Sequence, residues 1–269
     1  MTNMKPKALL IDLDGTLYHG KRRIEGADQW IQELQALHIP YLFVTNNSSR
    51  TPEDVAAHLL DMGIPAVKED VYTSAIAAAQ YVKEHYPIGV SVAVIGEYGL
   101  EEALKEVGVE ITEENPEIVV QGIDRAFDYG KLAKAVNWIR NGASYILTNP
   151  DLLLPSDTGI MPGAGTLSAA IQAATQTEPL VMGKPSNIIM RYALSRINCE
   201  PQDAIVVGDN PLTDLRAGQA AGCDTILVLT GLATSDNMDV LLEQAGVKPY
   251  CVCKDLYEAA AVTTGRCSQ

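Results

Sequence analysis

Short apolar runs without polar alternation recur along this chain, and segments with helical periodicity separate them. The runs include KALLIDLD, PYLFVTN, AIVVGD and TILVLTG, and the helical pattern ADQWIQELQAL lies between the first two. Strands that are apolar on both faces are typical of a parallel sheet covered by helices on both sides. The pattern therefore predicts an α/β fold with a doubly wound, Rossmann-like parallel-sheet core.

The middle of the chain has an alternation of its own, in which SVAVIG, EIVVQG and SYILTN are each followed by a helical or turn-rich segment. A length of 269 residues is enough for one domain that carries a substantial insertion. We therefore expect a discontinuous core at 1–80 and 181–269, with an inserted α/β cap domain at 81–180.

Charge and composition exclude several classes of partner. The chain has 20 Lys and Arg against 34 Asp and Glu, and a net charge of −14 disfavours non-specific binding to nucleic acid or anionic membranes. No apolar run is long enough for a membrane span or a leader peptide. The five scattered cysteines indicate reduced thiols rather than a disulfide framework, so a cytoplasmic location is expected. Assembly into a homo-oligomer stays open.

Polar side chains collect where the predicted strands end. Parallel sheets bind ligands at the carboxyl ends of their strands, so these side chains are expected to share one edge. They are Asp12 and Asp14 in DLDGT, Thr45 and Asn46 in VTNN, Lys184 in GKP, and Asp209 and Asp214 in GDNPLTD.

Such a concentration of carboxylates needs a cation. Two unit charges about 4 Å apart repel by roughly 4 kcal/mol at an effective dielectric constant near 20, and one lysine does not balance three or four acids. Oxygen donors without histidine or cysteine favour Mg²⁺ over zinc, and Mg²⁺ favours phosphate as a further ligand. Within DLDGT, one carboxylate can then attack phosphorus while the other transfers protons.

The four motifs DLDGT, VTNN, GKP and GDNPLTD, in this order, resemble those of the haloacid dehalogenase superfamily of phosphatases. The long insertion between the second and third motifs is similar to that of the NagD-like branch, whose members carry an α/β cap there. The resemblance spans nearly the whole chain, and it is the ordered set that makes it specific.

The resemblance implies a role for each matching residue. Asp12 is the nucleophile and a Mg²⁺ ligand, Asp14 is the general acid and base and binds Mg²⁺ through its main-chain carbonyl, and Asp209 is the third ligand. Thr45, Asn46 and Lys184 hold the phosphoryl group, and Asn210 and Thr213 contact the substrate. Asp214 is either a group behind the ligands or a helix N-cap. In the cap, the stretch TNPDLLLPSDTGIMPGAG is expected to be an irregular loop over the active site, with Asn149 and Asp151 as substrate contacts.

We therefore expect a Mg²⁺-dependent phosphomonoester hydrolase acting on small phosphates such as sugar or sugar-acid phosphates through an aspartyl-phosphate. Two alternatives from other classes remain: a receiver-like signalling domain, which also phosphorylates an aspartate at a strand end, and a catalytically silent phosphometabolite-binding protein on the same fold. The cap and the DLDGT pair disfavour the first, and the complete motif set disfavours the second.

Overall fold

The computed structural model of the chain describes residues 6–156 and 159–265. In this part of the chain the apolar runs form strands and the periodic segments form helices. The strands are β1 (Ala8–Ile11), β2 (Tyr18–His19), β3 (Arg22–Arg23), β4 (Tyr41–Thr45), β5 (Val71–Thr73), β6 (Ser91–Ile95), β7 (Glu110–Ile111), β8 (Ile118–Gln121), β9 (Ser144–Leu147), β10 (Leu153–Ser156), β11 (Gly159–Pro162), β12 (Leu180–Val181), β13 (Ala204–Gly208), β14 (Asp224–Val228) and β15 (Cys251–Cys253). The helices are α1 (Ala27–Ala36), α2 (Pro52–Asp61), α3 (Ser74–His85), α4 (Tyr98–Glu106), α5 (Tyr129–Arg140), α6 (Ala164–Thr175), α7 (Ile188–Arg196), α8 (Arg216–Ala221), α9 (Met238–Ala245) and α10 (Leu256–Thr264).

The contacts divide the described chain into two compact units, one made of residues 6–45, 53–72 and 184–265 and the other of residues 46–52 and 73–183. The sequence placed the inserted unit at 81–180. The difference lies mainly in α3, which belongs to the second unit because it packs against α4. That packing is a contact between separate helices, and the alanine-rich sequence of α3 carries no local sign of it.

The first unit contains a six-stranded sheet with the order β15-β14-β13-β1-β4-β5. Strand β1 pairs in parallel with both β13 and β4, in the registers Ala8↔Ala204 and Leu9↔Tyr41. The chain runs outward from β1 to β4 on one side and later returns to β13 on the other, so the strand order reverses at β1. Because both faces are covered, Leu9, Leu10 and Ile11 are all fully buried. The predicted doubly wound α/β core is confirmed.

Helices α1 and α10 pack together within this first unit. The indole of Trp30, which is 1% exposed, donates its N–H to the hydroxyl of Thr263 at 3.0 Å. The buried indole is therefore both packed and hydrogen-bonded, which avoids the cost of an unsatisfied polar group.

The second unit has a five-stranded parallel sheet of its own, with the order β12-β9-β8-β6-β7. Its core contains buried residues from strands and helices, including Ile95, Val119, Ile139 and Ile171. None of the helices in the described residues is long and apolar enough to cross a membrane.

The expectation of an irregular loop after SYILTN is wrong in one respect. Strands β10 and β11 pair as an antiparallel hairpin, with Leu153 opposite Pro162 and Ser156 opposite Gly159. A two-stranded hairpin leaves one side of each strand free of ladder hydrogen bonds, so it tolerates the prolines that suggested a loop.

Candidate active site

Asp12 directly follows β1, the strand at which the order of the first sheet reverses. Its backbone N–H donates to the carbonyl of Val207 at 2.9 Å, so the residue is held by the neighbouring strand β13. Open α/β sheets bind ligands in the crevice outside the strand ends at such a reversal. The fold therefore places the Asp12 carboxylate at the point in the first unit where a ligand is expected.

Lys184 is a buried cation beside Asp12. The residue is 3% exposed, and its ammonium Nζ lies 2.5 Å from Asp12 Oδ1, 2.7 Å from Asp214 Oδ1 and 3.0 Å from the carbonyl oxygen of Val44. Burial alone lowers the pKa of Lys184, but the charges of Asp12 and Asp214 outweigh it and hold the pKa above its usual value. The lysine is thus a fixed positive charge and not a solvated side chain at a helix start.

Asp12, Asp209 and Asp214 form a carboxylate cluster, in which one oxygen of each lies within 4.8 Å of the others. At that distance each pair repels by roughly 3–4 kcal/mol at an effective dielectric constant near 20. Burial and then the charge of Asp12 raise the pKa of Asp209 to about 6, and the same two causes raise the pKa of Asp214. One ammonium against three carboxylates leaves a net negative charge in a site where Asp209 and Asp214 are almost fully buried.

A hard divalent cation fits this cluster. All three donors are carboxylate oxygens, which suit Mg²⁺ better than zinc or copper. The cluster includes Asp12 and Asp209, as the motif resemblance implies, and it adds Asp214. The Asp14 side chain is not in the cluster, and metal binding through its main-chain carbonyl stays a prediction.

Two groups that the sequence analysis missed hold the carboxylates in place. The hydroxyl of Thr16 lies 3.3 Å from Asp12 Oδ2 and 3.4 Å from Asp209 Oδ1. The backbone N–H of Leu232 donates to Asp209 Oδ2 at 2.6 Å. Thr16 belongs to the DLDGT motif, and the loop containing Leu232 follows the apolar run TILVLTG, so the rule that strand ends carry the site could have found both.

The segment from Thr230 to Leu232, here called the β14 loop, contacts both the DLDGT segment at Gly15 and the carboxylate of Asp209. Thr230 donates its hydroxyl hydrogen to the carbonyl of Gly15 at 2.8 Å. A Cβ added to Gly231 would lie 2.1 Å from Asp209 Oδ2 and 2.6 Å from the Gly15 carbonyl oxygen. Only glycine allows this close approach of the β14 loop to the cluster.

Asp14 lies two residues beyond Asp12 and is exposed at the surface. Partial desolvation, followed by the charge of Asp12, raises the pKa of its carboxyl, while His19, the backbone N–H of Gly20 and His58 act in the opposite direction. A raised pKa favours the protonated carboxyl, the form a general acid needs.

The remaining candidates of the first unit sit on neighbouring strand ends. Thr45 is the last residue of β4 and is 9% exposed. Asn210 begins the helical turn Pro211–Leu215, and its side-chain oxygen accepts the Leu212 N–H at 2.9 Å. Asn210, and not Asp214, is therefore the cap of this turn, while the partly exposed Thr213 lies within it.

Three further candidates lie in the second unit and form a cluster there. Asn46 and Asn149 both donate their side-chain N–H to Asp151 Oδ2, at 2.9 and 2.7 Å. The hydroxyl of Thr148 donates to Asn149 Oδ1 at 2.9 Å. Asn149 is 4% exposed, so its hydrogen-bonding groups are largely committed to other residues of the unit.

The geometry of the first unit suits a reaction in which negative charge is added and removed. A partly exposed carboxylate, Asp12, has a buried ammonium on one side and two more carboxylates that can hold a cation. A second carboxyl, whose pKa is raised, follows two residues later. Phosphoryl transfer to an aspartate requires a nucleophile, a positive charge that neutralises the phosphoryl oxygens and an acid that protonates the leaving group.

Comparisons with known proteins agree with this chemistry. Residues 9–110 match the family model described as haloacid dehalogenase-like hydrolase, and residues 181–259 match a HAD-hydrolase-like model. The chain is 44% identical over 232 residues to the 5'-nucleotidase YutF of Bacillus subtilis (strain 168), covering 86% of this chain and 90% of YutF. It is 43% identical over 256 residues to the acid sugar phosphatase of Staphylococcus aureus (strain USA300), covering 95% and 97% of the two chains.

Solved structures give the same answer. NagD from Escherichia coli K-12 superposes with a TM-score of 0.88 at 32% identity, covering 95% of this chain and 98% of NagD. The glycerol phosphate phosphatase Rv1692 from Mycobacterium tuberculosis, solved in complex with magnesium, superposes with a TM-score of 0.86 at 37% identity and covers 94% and 76% of the two chains. The chain therefore belongs to the haloacid dehalogenase superfamily, in its NagD-like branch, and is a phosphoric monoester hydrolase.

Proposed function

We propose that this phosphatase hydrolyses small phosphate monoesters through an aspartyl-phosphate on Asp12 and that the reaction depends on Mg²⁺. The observation that carries the proposal is the environment of Asp12, whose carboxylate pairs with the Lys184 ammonium and lies within 4.8 Å of the buried carboxylates of Asp209 and Asp214. A carboxylate held at a strand end by a fixed cation is a nucleophile that needs no proton removed before it attacks.

The reaction proceeds in two displacements. In the first, an Asp12 oxygen forms a bond to phosphorus, the ester P–O bond breaks, and the leaving alkoxide takes a proton from Asp14. In the second, Asp14 accepts a proton from water, the water oxygen attacks phosphorus, and the bond between phosphorus and Asp12 breaks. The products are the alcohol and inorganic phosphate, and both aspartates return to their starting state.

Each remaining residue of the cluster has an electrostatic task. Lys184 is fixed against Asp12 before the substrate arrives, so it stabilises negative charge on the phosphoryl oxygens without reorganising. Asp12, Asp209 and Asp214 are the residues that would hold Mg²⁺. When bound there, Mg²⁺ would supply neutralisation of carboxylate and phosphate charge and polarisation of the phosphoryl group. Thr45 is proposed to donate a hydrogen bond to a phosphoryl oxygen, and Asn46, Asn210 and Thr213 are proposed as further substrate contacts.

The substrate class is proposed from the relatives and from chemistry. The relatives bear the names 5'-nucleotidase, acid sugar phosphatase and glycerol phosphate phosphatase, so the shared chemistry is a phosphate monoester on a small hydroxylated molecule. We assign discrimination between such esters to Asn149 and Asp151 of the second unit. A cytoplasmic setting is proposed as well, supported by the free thiols of Cys199, Cys223, Cys251 and Cys253.

The test compares Asp12→Asn with Asp14→Asn in single-turnover assays. Asp12→Asn keeps the shape of the side chain but removes the nucleophile, so no phosphorylated protein should form with any substrate. Asp14→Asn should slow an alkyl phosphate by about 10²–10⁴-fold and nitrophenyl phosphate much less, because nitrophenolate leaves without a proton. Asp61→Asn, which changes an exposed aspartate at the end of α2, is the control and should behave like the parent.

Two outcomes would contradict the proposal. Hydrolysis by Asp12→Asn within about tenfold of the parent rate would exclude the covalent route, because an enzyme that has lost its nucleophile cannot form the aspartyl-phosphate. Full activity in excess chelator, with Mg²⁺ adding nothing, would exclude the metal dependence.

A further inference from the structure

A small hairpin pairs with the backbone at Asp14. Strands β2 and β3 form this hairpin, in which Tyr18 pairs with Arg23 and His19 with Arg22. Asp14 makes an isolated bridge with Tyr18, and the Gly15 N–H donates to the Tyr18 carbonyl at 2.8 Å. The turn residue Gly20 follows His19 directly, and the backbone N–H of Gly20 acts to lower the pKa of the Asp14 carboxyl. The orientation of this carboxyl therefore depends on where the turn of the β2–β3 hairpin sits.

The hairpin is too short to be rigid without external contacts. Each of its strands has two residues, and an isolated two-stranded hairpin is marginally stable at best in water. Gly20 adopts a φ of +59°, and among the described residues no atom beyond its chain neighbours comes within 4 Å of where its Cβ would be, so a side chain at the turn would have nothing to pack against. Other elements must supply its anchors.

Two histidines supply these anchors from different directions. His19, on the hairpin itself, lies with Nε2 2.7 Å from the carbonyl oxygen of Thr230 in the β14 loop. His58, on α2, lies with Nε2 2.9 Å from the carbonyl oxygen of Gly20. The ring of His58 also packs edge-on against Tyr18, with ring centroids 5.3 Å apart and an angle of 85° between the planes.

We propose that His58 is a positioning residue for the proton transfer carried out by Asp14. The imidazole N–H fixes the Gly20 carbonyl, and the ring packs on Tyr18. Tyr18 bridges to Asp14 and accepts the Gly15 N–H through its carbonyl, so a residue on α2 sets the position of the backbone that carries the acid. The inference rests on the proposed role of Asp14 as general acid. It concerns orientation, because His58 acts through the backbone of the β2–β3 hairpin.

Two substitutions separate the hydrogen bond from the packing. His58→Phe keeps an aromatic ring against Tyr18 but has no donor for the Gly20 carbonyl. His58→Gln offers an amide N–H at a similar distance from the backbone but loses the ring. If His58→Phe does not fold, as judged by circular dichroism and thermal melting, His58→Ala takes its place.

His85 provides a matched control in the second unit. Its Nδ1 lies 2.9 Å from the carbonyl oxygen of Tyr81, and its ring stacks on that tyrosine at 4.0 Å. His85→Phe therefore removes the same kind of hydrogen bond and keeps the same kind of ring contact in a place unrelated to Asp14.

The measurement is single-turnover phosphorylation of each variant with glycerol phosphate and with nitrophenyl phosphate. His58→Phe should slow the glycerol phosphate reaction about tenfold, part of the 10²–10⁴-fold that a general acid contributes, and should change nitrophenyl phosphate by less than about twofold. His58→Gln should recover most of the loss, and His85→Phe should match the parent. Amide hydrogen exchange in residues 18–23 should be faster in His58→Phe than in His58→Gln.

Asp14→Asn, measured beside these variants, separates the two proposals. If Asp14→Asn slows glycerol phosphate selectively while His58→Phe slows both substrates equally or neither, the positioning role is wrong and the acid role of Asp14 stands. If Asp14→Asn itself slows both substrates equally, Asp14 is not the acid and both proposals fall. A selective loss in both variants, with recovery in His58→Gln, supports the positioning role.

Discussion

Lys184 illustrates how much one residue's role depends on its surroundings. In the sequence it stands just before a helix start, where the positive end of the helix dipole disfavours a cation. In the structure its ammonium is buried against two carboxylates and a carbonyl oxygen, which together offset the cost of removing a charge from water. The contact with Asp12 that helps to offset the cost of burying the Lys184 charge also fixes the position of the nucleophile.

Gly231→Ala should weaken Mg²⁺ binding. The added Cβ would lie 2.1 Å from Asp209 Oδ2, so either the carboxylate or the β14 loop must move. We expect the unfolding free energy to fall by about 1–3 kcal/mol, as for other overpacked sites, and the Mg²⁺ concentration for half-maximal thermal stabilisation to rise about tenfold. Thermal melting across a Mg²⁺ series measures both effects.

Gly89→Ala is the control for this substitution. Gly89 has a positive φ of +79°, and among the described residues no atom beyond its chain neighbours comes within 4 Å of where its Cβ would be. Alanine there should cost about 1–2 kcal/mol of stability through backbone strain and leave the Mg²⁺ dependence unchanged. Equal Mg²⁺ dependence in the two variants would show that the β14 loop does not shape the cluster.

The motif residues could be predicted from the sequence, and their supports could not. Asp12, Asp209 and Lys184 carry chemically distinctive side chains at strand ends, and the structure brings them together. Leu232 supports Asp209 through a backbone N–H, which any residue other than proline offers, so its identity carries no signal. Asp214 was uncertain because a helix cap and a cluster member have the same sequence signature.

At the scale of elements, the hairpin β10–β11 and the Asp151 cluster that precedes it were only partly predictable. Proline and glycine marked residues 149–165 as a connection, and residues 153–156 pair with residues 159–162 instead. The hydrogen bond between Asn46 and Asp151 joins residues 105 positions apart, and no local pattern reports such a contact. Sequence periodicity shows which face of a helix or strand is buried. The hairpin pairing and the hydrogen bond between Asn46 and Asp151 depend instead on which segments of the chain come into contact.

Asp151→Ala should change both stability and selectivity. Asn46 and Asn149 would lose a charged acceptor, which lowers the unfolding free energy by about 1–3 kcal/mol. If the cluster also discriminates between esters, relative kcat/KM among sugar, sugar-acid and two-carbon phosphates should shift by roughly 1–3 kcal/mol, and nitrophenyl phosphate should change much less. Asn149→Ala should act in the same direction.

Glu114→Ala, at an exposed acid of the second unit, controls for the loss of a negative charge and should affect neither property. A uniform change in kcat/KM over the whole substrate panel would mean that the Asp151 cluster stabilises the unit without selecting substrates. Chemical denaturation and the kinetic panel together distinguish these outcomes.

For the whole molecule, the metal-free protein should lose stability as the pH rises, and Mg²⁺ should restore it. Burial and neighbouring charge raise the folded-state pKa of Asp209 to about 6, whereas an unfolded aspartate titrates near 4. The unfolded state therefore releases its proton at lower pH, and the stabilising contribution is complete below about pH 4 and is lost as pH passes through 6. The rise in melting temperature caused by Mg²⁺ should be larger at pH 8 than at pH 5.

Asp209→Asn checks the origin of this effect, because it removes one titrating carboxyl from the cluster. The difference between the two pH values should shrink in that variant, at constant ionic strength. Equal Mg²⁺-induced shifts at pH 5 and pH 8 in the parent would contradict the charge balance inferred for Asp12, Asp209 and Asp214.

The architecture of each unit was more predictable than the border between them. Apolar strands alternating with helices predicted a parallel α/β core, and both sheets have that form. The border lies near residues 73 and 183, whereas the sequence placed it at 81 and 180. Helix α3 is buried along Ala75, Ala77, Ala78 and Ala79, and small residues pack equally well in either unit.

Strand β1 has a consequence for how the chain is made. Its neighbours are β4, which follows within the first 45 residues, and β13, which begins at Ala204. During synthesis β1 therefore waits with one open edge while most of the second unit, residues 73–183, leaves the ribosome as one continuous segment and can complete its sheet. An open apolar strand edge invites pairing with other chains. A nascent chain that stalls before Ala204 would therefore carry a folded second unit on an unfinished, aggregation-prone first one, and would need a chaperone until the last quarter of the chain is made.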